Sequence, residues 1–193
     1  EGRQKLIAFI EHLDDSVDKV INSLENNNLL DNTIIIFTSD NGGALHYSAS
    51  NKPFNGGKGN MLEGGIRIPC IVKWSNVIKP GVVNDPIMLM DFYPTLVSIS
   101  REFNDYNLPS KNILPLLKDE ELSYDSRFMV WIRREGHVFG GRDFYAISNG
   151  RFKLLQNSPF EPYKLYDLEK DPFEEKSAFE ILFKHSRFSF DNS

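Results

Sequence analysis

The stretch from Thr33 to Thr38 reads Thr-Ile-Ile-Ile-Phe-Thr, an unbroken run of β-branched and aromatic residues. A run with no polar alternation marks a strand covered on both faces, the usual state of strands in a parallel sheet. An amphipathic helix precedes it. Leu6, Ile10, Leu13, Val17, Val20, Ile21 and Leu24 recur at three- and four-residue spacing within residues 5–26, with charges on the other side. Asn26-Asn27-Asn28 is a stop signal and Asp31-Asn32 a turn. Helix, turn, buried strand and glycine-rich loop make half of an α/β repeat. The loop, about 40–66, leads to a second strand over Pro69–Trp74, and Pro80-Gly81 turns the chain again. Residues 86–99 read as a helix with Pro94 in its first turn or at a kink, and 101–126 as irregular, with Ile113–Leu117 a local apolar anchor.

After residue 126 the pattern changes. Phe128–Ile132, Phe144–Ser148, Phe152–Leu155 and Leu165–Leu168 are four short strands separated by Gly140-Gly141, Asn149-Gly150 and Ser158-Pro159. Asn149-Gly150 is a two-residue hairpin signal, so these strands form an antiparallel meander. The tail from Glu174 is helix-like, then polar, with no evident packing partner. The chain thus divides into an α/β segment over 1–100, a connection over 101–125 and a small antiparallel sheet with a helix or tail over 126–193.

Composition narrows the function classes. A formal net charge of −5 without a basic block argues against nucleic acid, and no apolar run approaches a membrane span. Cys70 is the single cysteine, which excludes an internal disulfide or a thiolate metal cluster. In a buried strand with no histidine nearby in sequence, it reads as an inert core thiol. No Gly-x-Ser-x-Gly elbow is present, and no signal peptide opens the chain.

The residues that could carry chemistry follow the apolar strand. Asp40 and Asn41 lie where its carboxyl end is expected, the place where α/β sheets bind ligands. A carboxylate and an amide carbonyl suit Ca²⁺ or Mg²⁺, but two ligands are too few for either; the same pair before Gly42-Gly43 also suits a plain turn. Lys58 sits in Gly56-Gly57-Lys58-Gly59, where side-chain-free neighbours let an oxyanion approach its ammonium, or leave it solvated. The spacing is not that of a P-loop. His46 could touch an anion or simply face solvent. Glu63 and Arg67 read as a structural ion pair.

Taken together, Glu11–Val17, Asp31-Asn32-Thr33, Thr38–Gly43, Gly57-Lys58-Gly59, Glu63–Pro69, Asp91–Thr95, Leu114–Leu117, Lys164–Leu168 and Asp171-Pro172 resemble the type I sulfatases (arylsulfatase family) of the alkaline phosphatase superfamily. Each piece is short; their order over about 5–175 carries the resemblance. It implies the C-terminal part of an alkaline-phosphatase-like α/β sandwich plus a small antiparallel sheet. By that resemblance Asp40 and Asn41 match two ligands of a catalytic divalent cation, usually Ca²⁺ with Mg²⁺ the alternative. Lys58 matches the lysine that holds the substrate sulfate, and His46 lies where family members often contact substrate. The family's nucleophile is a formylglycine hydrate made from a Cys or Ser in Cys/Ser-x-Pro/Ala-x-Arg, a motif this sequence lacks. The resemblance therefore implies the C-terminal half of a sulfatase, inactive alone and aggregation-prone, whose N-terminal half supplies the formylglycine. It further implies a sulfated small molecule or glycan as substrate, and an exported or lysosomal setting. A phosphodiesterase or phosphonate hydrolase of the same superfamily, or a non-catalytic anion-binding protein, are the alternatives.

Overall fold

The structure is a computed structural model and describes residues 1–100, 108–120, 127–134 and 143–179. The first helix, α1 (Gly2–Asn26), forms where the three- and four-residue apolar spacing runs. It ends at the asparagine run, where Asn28 takes a left-handed φ of 56° and the Leu29 amide closes onto the Leu24 carbonyl at 2.9 Å. No residue of α1 is buried. Its stripe is only partly covered, leaving Ile10, Leu13 and Val20 exposed.

Strand β1 (Ile35–Thr38) pairs with β2 (Cys70–Lys73), and the pairing corrects the expected parallel, doubly covered strand. It is antiparallel, with Ile36 opposite Val72 and Phe37 opposite Ile71. One face, with Ile34, Ile36, Val72 and Trp74, meets α3 (Phe92–Ser100) and α4 (Leu114–Leu117) across an apolar cleft. The other face leaves Phe37 and Ile71 exposed. β-Branched composition favours any pleated surface, so it fixes neither strand direction nor the number of covered faces. Cys70 is exposed on β2, not in a core, although partial burial still pushes its thiol pKa up.

Pro94 falls in the first turn of α3, where its missing N–H costs no helical hydrogen bond. Just before it, the buried Asp91 carboxylate accepts from the Met88 amide (2.7 Å) and the Lys111 amide (2.9 Å) and forms a two-pronged pair with the Arg127 guanidinium. Thr95 Oγ1 accepts from the Ile113 amide at 2.9 Å, and Ile113 is fully buried, so the apolar anchor is real.

The second sheet is the expected meander, β3 (Met129–Arg134), β4 (Asp143–Ser148), β5 (Phe152–Gln156) and β6 (Lys164–Asp167), paired antiparallel in chain order. The β4–β5 turn centres on Gly150-Arg151, one residue later than expected. Gly150 takes φ 94°, and Asn149 Oδ1 accepts from the amides of Arg151 (3.1 Å) and Phe152 (2.8 Å). This side chain replaces a backbone carbonyl and shifts the turn. The Gly140-Gly141 turn and the tail beyond 179 lie outside the described residues.

The core sits on the inner face of this sheet: Phe144, Ala146, Leu155 and Tyr166, with Met61 from the glycine-rich loop packed among them. Beside it, the Lys153 ammonium, with 0% of its side chain exposed, lies 2.9 Å from Glu63 and 2.8 Å from Glu174. The Glu63 amide also donates to Glu174 at 2.6 Å. Burial pushes the Glu174 carboxyl pKa up, and the neighbouring Lys153 opposes that shift. Glu174 therefore packs firmly, which corrects the expectation of a tail without a partner.

Candidate active site

The turn after β1 is built from short polar side chains and glycines. Thr38 Oγ1 donates to the Pro69 carbonyl (2.9 Å), Ser39 Oγ to the Asn41 carbonyl (2.8 Å) and Asn41 Nδ2 to the Asp40 carboxylate (2.6 Å). The next residue must be glycine. Gly42 donates to the Gly65 carbonyl at 2.9 Å, and a Cβ on it would overlap the Gly64 carbonyl oxygen. Gly64 and Gly65 belong to α2 (Glu63–Ile66), the short turn whose Glu63 is held by Lys153.

The chain then runs out through residues 44–56 and returns against the same turn. The Lys58 amide donates to the Gly43 carbonyl at 3.1 Å. Asn51 clasps both sides of the return. Its Oδ1 accepts from the Gly43 amide at 2.7 Å, and its Nδ2 donates to the carbonyls of Gly43 (2.9 Å) and Gly56 (3.0 Å). A Cβ on Gly57 would sit 2.6 Å from the Gly43 oxygen, so this close approach again requires glycine.

Asp40, Asn41 and Lys58 consequently line one cavity of about 430 Å³. Its other walls come from Met88 and Leu89 ahead of α3 and from Trp131 and Arg133 on β3. His46 does not join them. It is exposed on a 3₁₀ turn, Leu45–Tyr47, with its ring 4.2 Å from that of Tyr47. Glu63 and Arg67 form the expected ion pair, at 3.6 Å, and the Arg67 guanidinium also lies over the Phe54 ring at 4.6 Å.

Two residues at this site escape the sequence reading. Asn51 carries no local signal, because it acts across the loop. Arg133 has one: in the alternation of β3 it falls on the inward side with Met129 and Trp131, an unusual place for a guanidinium. It donates to the Gly59 carbonyl, next to Lys58.

In donor chemistry Asp40 and Asn41 fit a hard divalent cation, but Ca²⁺ takes six to eight oxygens. No group of three or more His, Cys, Asp or Glu residues that could hold a metal occurs among the described residues.

The profile of the family described as Sulfatase matches residues 2–100. That described as N-sulphoglucosamine sulphohydrolase, C-terminal, matches residues 56–185. A sulfatase of Formosa agariphila is 33% identical over 85% of this chain and 33% of its own length. The steryl-sulfatase of Mus musculus is 33% identical over 86% of this chain and 32% of its own. The crystal structure of Ps i-CgsB in complex with k-i-k-neocarrahexaose superposes with a TM-score of 0.82 at 26% identity, covering 100% of this chain and 44% of that one. The chain thus spans about a third of the length of these curated relatives.

Proposed function

The chain belongs to the sulfatase family, with its alkaline-phosphatase-like α/β fold, and from that premise we propose that it is the C-terminal part of a sulfuric ester hydrolase. In this reading Asp40 and Asn41 contribute two oxygen ligands to a catalytic divalent cation, Ca²⁺ before Mg²⁺, and Lys58 contacts the sulfate. The observation that carries it is the convergence of the three residues on one cavity, fixed by the Lys58 amide on the Gly43 carbonyl at 3.1 Å.

The bound cation would supply positive charge to the sulfate oxygens. Lys58, a point-charge donor with three N–H groups, would stabilise the charge that grows on the ester oxygen as the S–O bond breaks. The glycines around Lys58 keep side chains out of the ester's path. The remaining cation ligands and a formylglycine nucleophile belong, on this reading, to residues preceding this chain. The relatives' length supports that assignment. The apolar side chains left exposed on α1 and on the Phe37–Ile71 face support it too. The substrate is a sulfated small molecule or glycan. Names among the similar proteins, a steryl-sulfatase and a structure holding an oligosaccharide, span both kinds. His46, exposed beyond the cavity, could at most reach the far end of a long substrate.

Two substitutions in the complete protein test the reading. Lys58→Ala is expected to lower kcat on an aryl sulfate by about 10²–10³-fold, the effect of removing one transition-state donor. Asp40→Ala is expected to abolish the cation-dependent activity. Normal turnover in the first variant removes Lys58 from the site; an unaltered cation titration in the second removes Asp40. Comparing sulfate with phosphate and phosphonate esters separates sulfatase from phosphodiesterase or phosphonate hydrolase activity.

A further inference from the structure

We propose that Arg133 is a positioning residue for Lys58: through the Gly59 carbonyl it fixes the backbone from which the lysine reaches the anion, and so brings the four-stranded sheet into the chemistry. The proposal rests on the reading of Lys58 given above.

Lys58 has little of its own to hold it. Its side chain is exposed, it carries the rotamer freedom of a long flexible stem, and both of its neighbours are glycines. Upstream, the Gly43 carbonyl and Asn51 restrain the chain up to the Lys58 amide. Downstream, the Asn60 amide closes a turn over Lys58 and Gly59 onto the Gly57 carbonyl at 3.2 Å, and Gly59 takes φ 102°, a conformation that costs glycine little and that one turn hydrogen bond alone holds loosely. The Arg133 Nη1 donates to the carbonyl of that glycine. A Cβ on Gly59 would lie 2.5 Å from the same nitrogen, so the guanidinium rests against the glycine backbone itself.

Arg133 is in turn packed on the sheet. It pairs in register with Phe144 on β4, and its guanidinium lies 5.2 Å from the Phe144 ring centroid. Phe144 belongs to the buried core of that sheet. The chain of constraint runs from a packed aromatic ring, through a planar permanently charged group, to the residue beside Lys58. Small displacements matter here, since misplacing a catalytic group by about 1 Å can cost about 10²-fold in rate.

Arg133 also lines the cavity, so a direct contact with the substrate is the competing role. The test is a double-mutant cycle in the complete protein, with 4-nitrophenyl sulfate as substrate, on Arg133→Met, Arg133→Lys, Lys58→Ala and the Arg133→Met/Lys58→Ala pair. Arg133→Met keeps the stem and loses the donor; its kcat is expected to fall by roughly 10–100-fold with KM within about threefold. Arg133→Lys keeps a donor but loses the planar group over Phe144, and its kcat is expected to fall between that of Arg133→Met and that of the parent. With Lys58 already removed, Arg133→Met is expected to slow turnover by no more than about threefold. Multiplicative losses in the cycle overturn the proposal. So does a rise in KM at unchanged kcat, or an Arg133→Lys protein that is folded by its melting curve yet as slow as Arg133→Met. If Lys58→Ala alone turns over normally, it is the reading of Lys58 that falls, and the cycle shows this apart from any effect of Arg133.

Discussion

The two sheets of this molecule are made from similar residues and end up in opposite states. The β1–β2 pair carries Ile35, Ile36, Phe37, Ile71 and Val72, yet none of them is buried. The β3–β6 meander has a closed inner face, with Leu155 at 1% exposure and Ala146 and Tyr166 beside it. The candidate site hangs between them. Asp40 and Asn41 follow β1, while Met61, Glu63 and Gly59 of the same loop are packed, paired and hydrogen-bonded onto the meander. The lesson is that the sheet which leads into the candidate site does not supply its rigidity; the loop borrows that from the other.

The largest way to break this arrangement is to cut the ionic link. Lys153→Met should leave Glu174 buried without its cation and Glu63 with only the more distant Arg67, at a cost of about 3–5 kcal/mol. Denaturant unfolding of the complete protein followed at β-sheet absorption measures it. A loss under 1 kcal/mol would mean that the pair reaches water. Next is the core itself: Leu155→Ala should cost about 2–5 kcal/mol through lost burial and the cavity left behind. A near-neutral result there would show that the inner face is loosely packed. A smaller effect is expected at the β4–β5 turn. Asn149→Ala removes an acceptor for two turn amides and should cost about 1 kcal/mol, read as a small drop in melting temperature with activity kept.

How much of this the residues disclose depends on the range of the interaction that decides each feature. The meander is legible because alternation and the Asn149-Gly150 signal act within a few residues. Even there a single Asx side chain moved the turn by one position. The stop of α1 at the asparagine run is legible for the same reason. The direction of β1 is not, since Ile34–Phe37 would suit either pairing and the partner strand, Cys70–Lys73, lies beyond the whole glycine-rich loop. Cys70 follows from that error: assigned to a doubly covered strand, it is exposed on an edge. At the site, Asp40, Asn41 and Lys58 stand out as chemical types in a glycine setting, whereas the groups that hold them do not. Arg133 meets Gly59 across 74 residues and Lys153 meets Glu63 across 90, distances at which no local pattern announces a contact.

The smallest predicted effect is the one that bears most on the comparison. Ile71 is 63% exposed and faces Phe37 across the β1–β2 pair. In the chain as described, Ile71→Ala gives up a cross-strand contact worth about 0.2–1 kcal/mol and little burial, so its unfolding free energy should change by less than about 1 kcal/mol. In the complete protein proposed above, residues outside this chain would cover that face, and the same substitution should then cost about 2–5 kcal/mol, as it does in a packed core. Measuring it in both contexts reads the covering directly. A small value in both would make the open face a property of the molecule and would weaken the case that more of the α/β layer packs there. A rise from one context to the other would mean that the two sheets differ only in where their second layer comes from: the meander takes its cover from this chain, and β1–β2 from residues outside it.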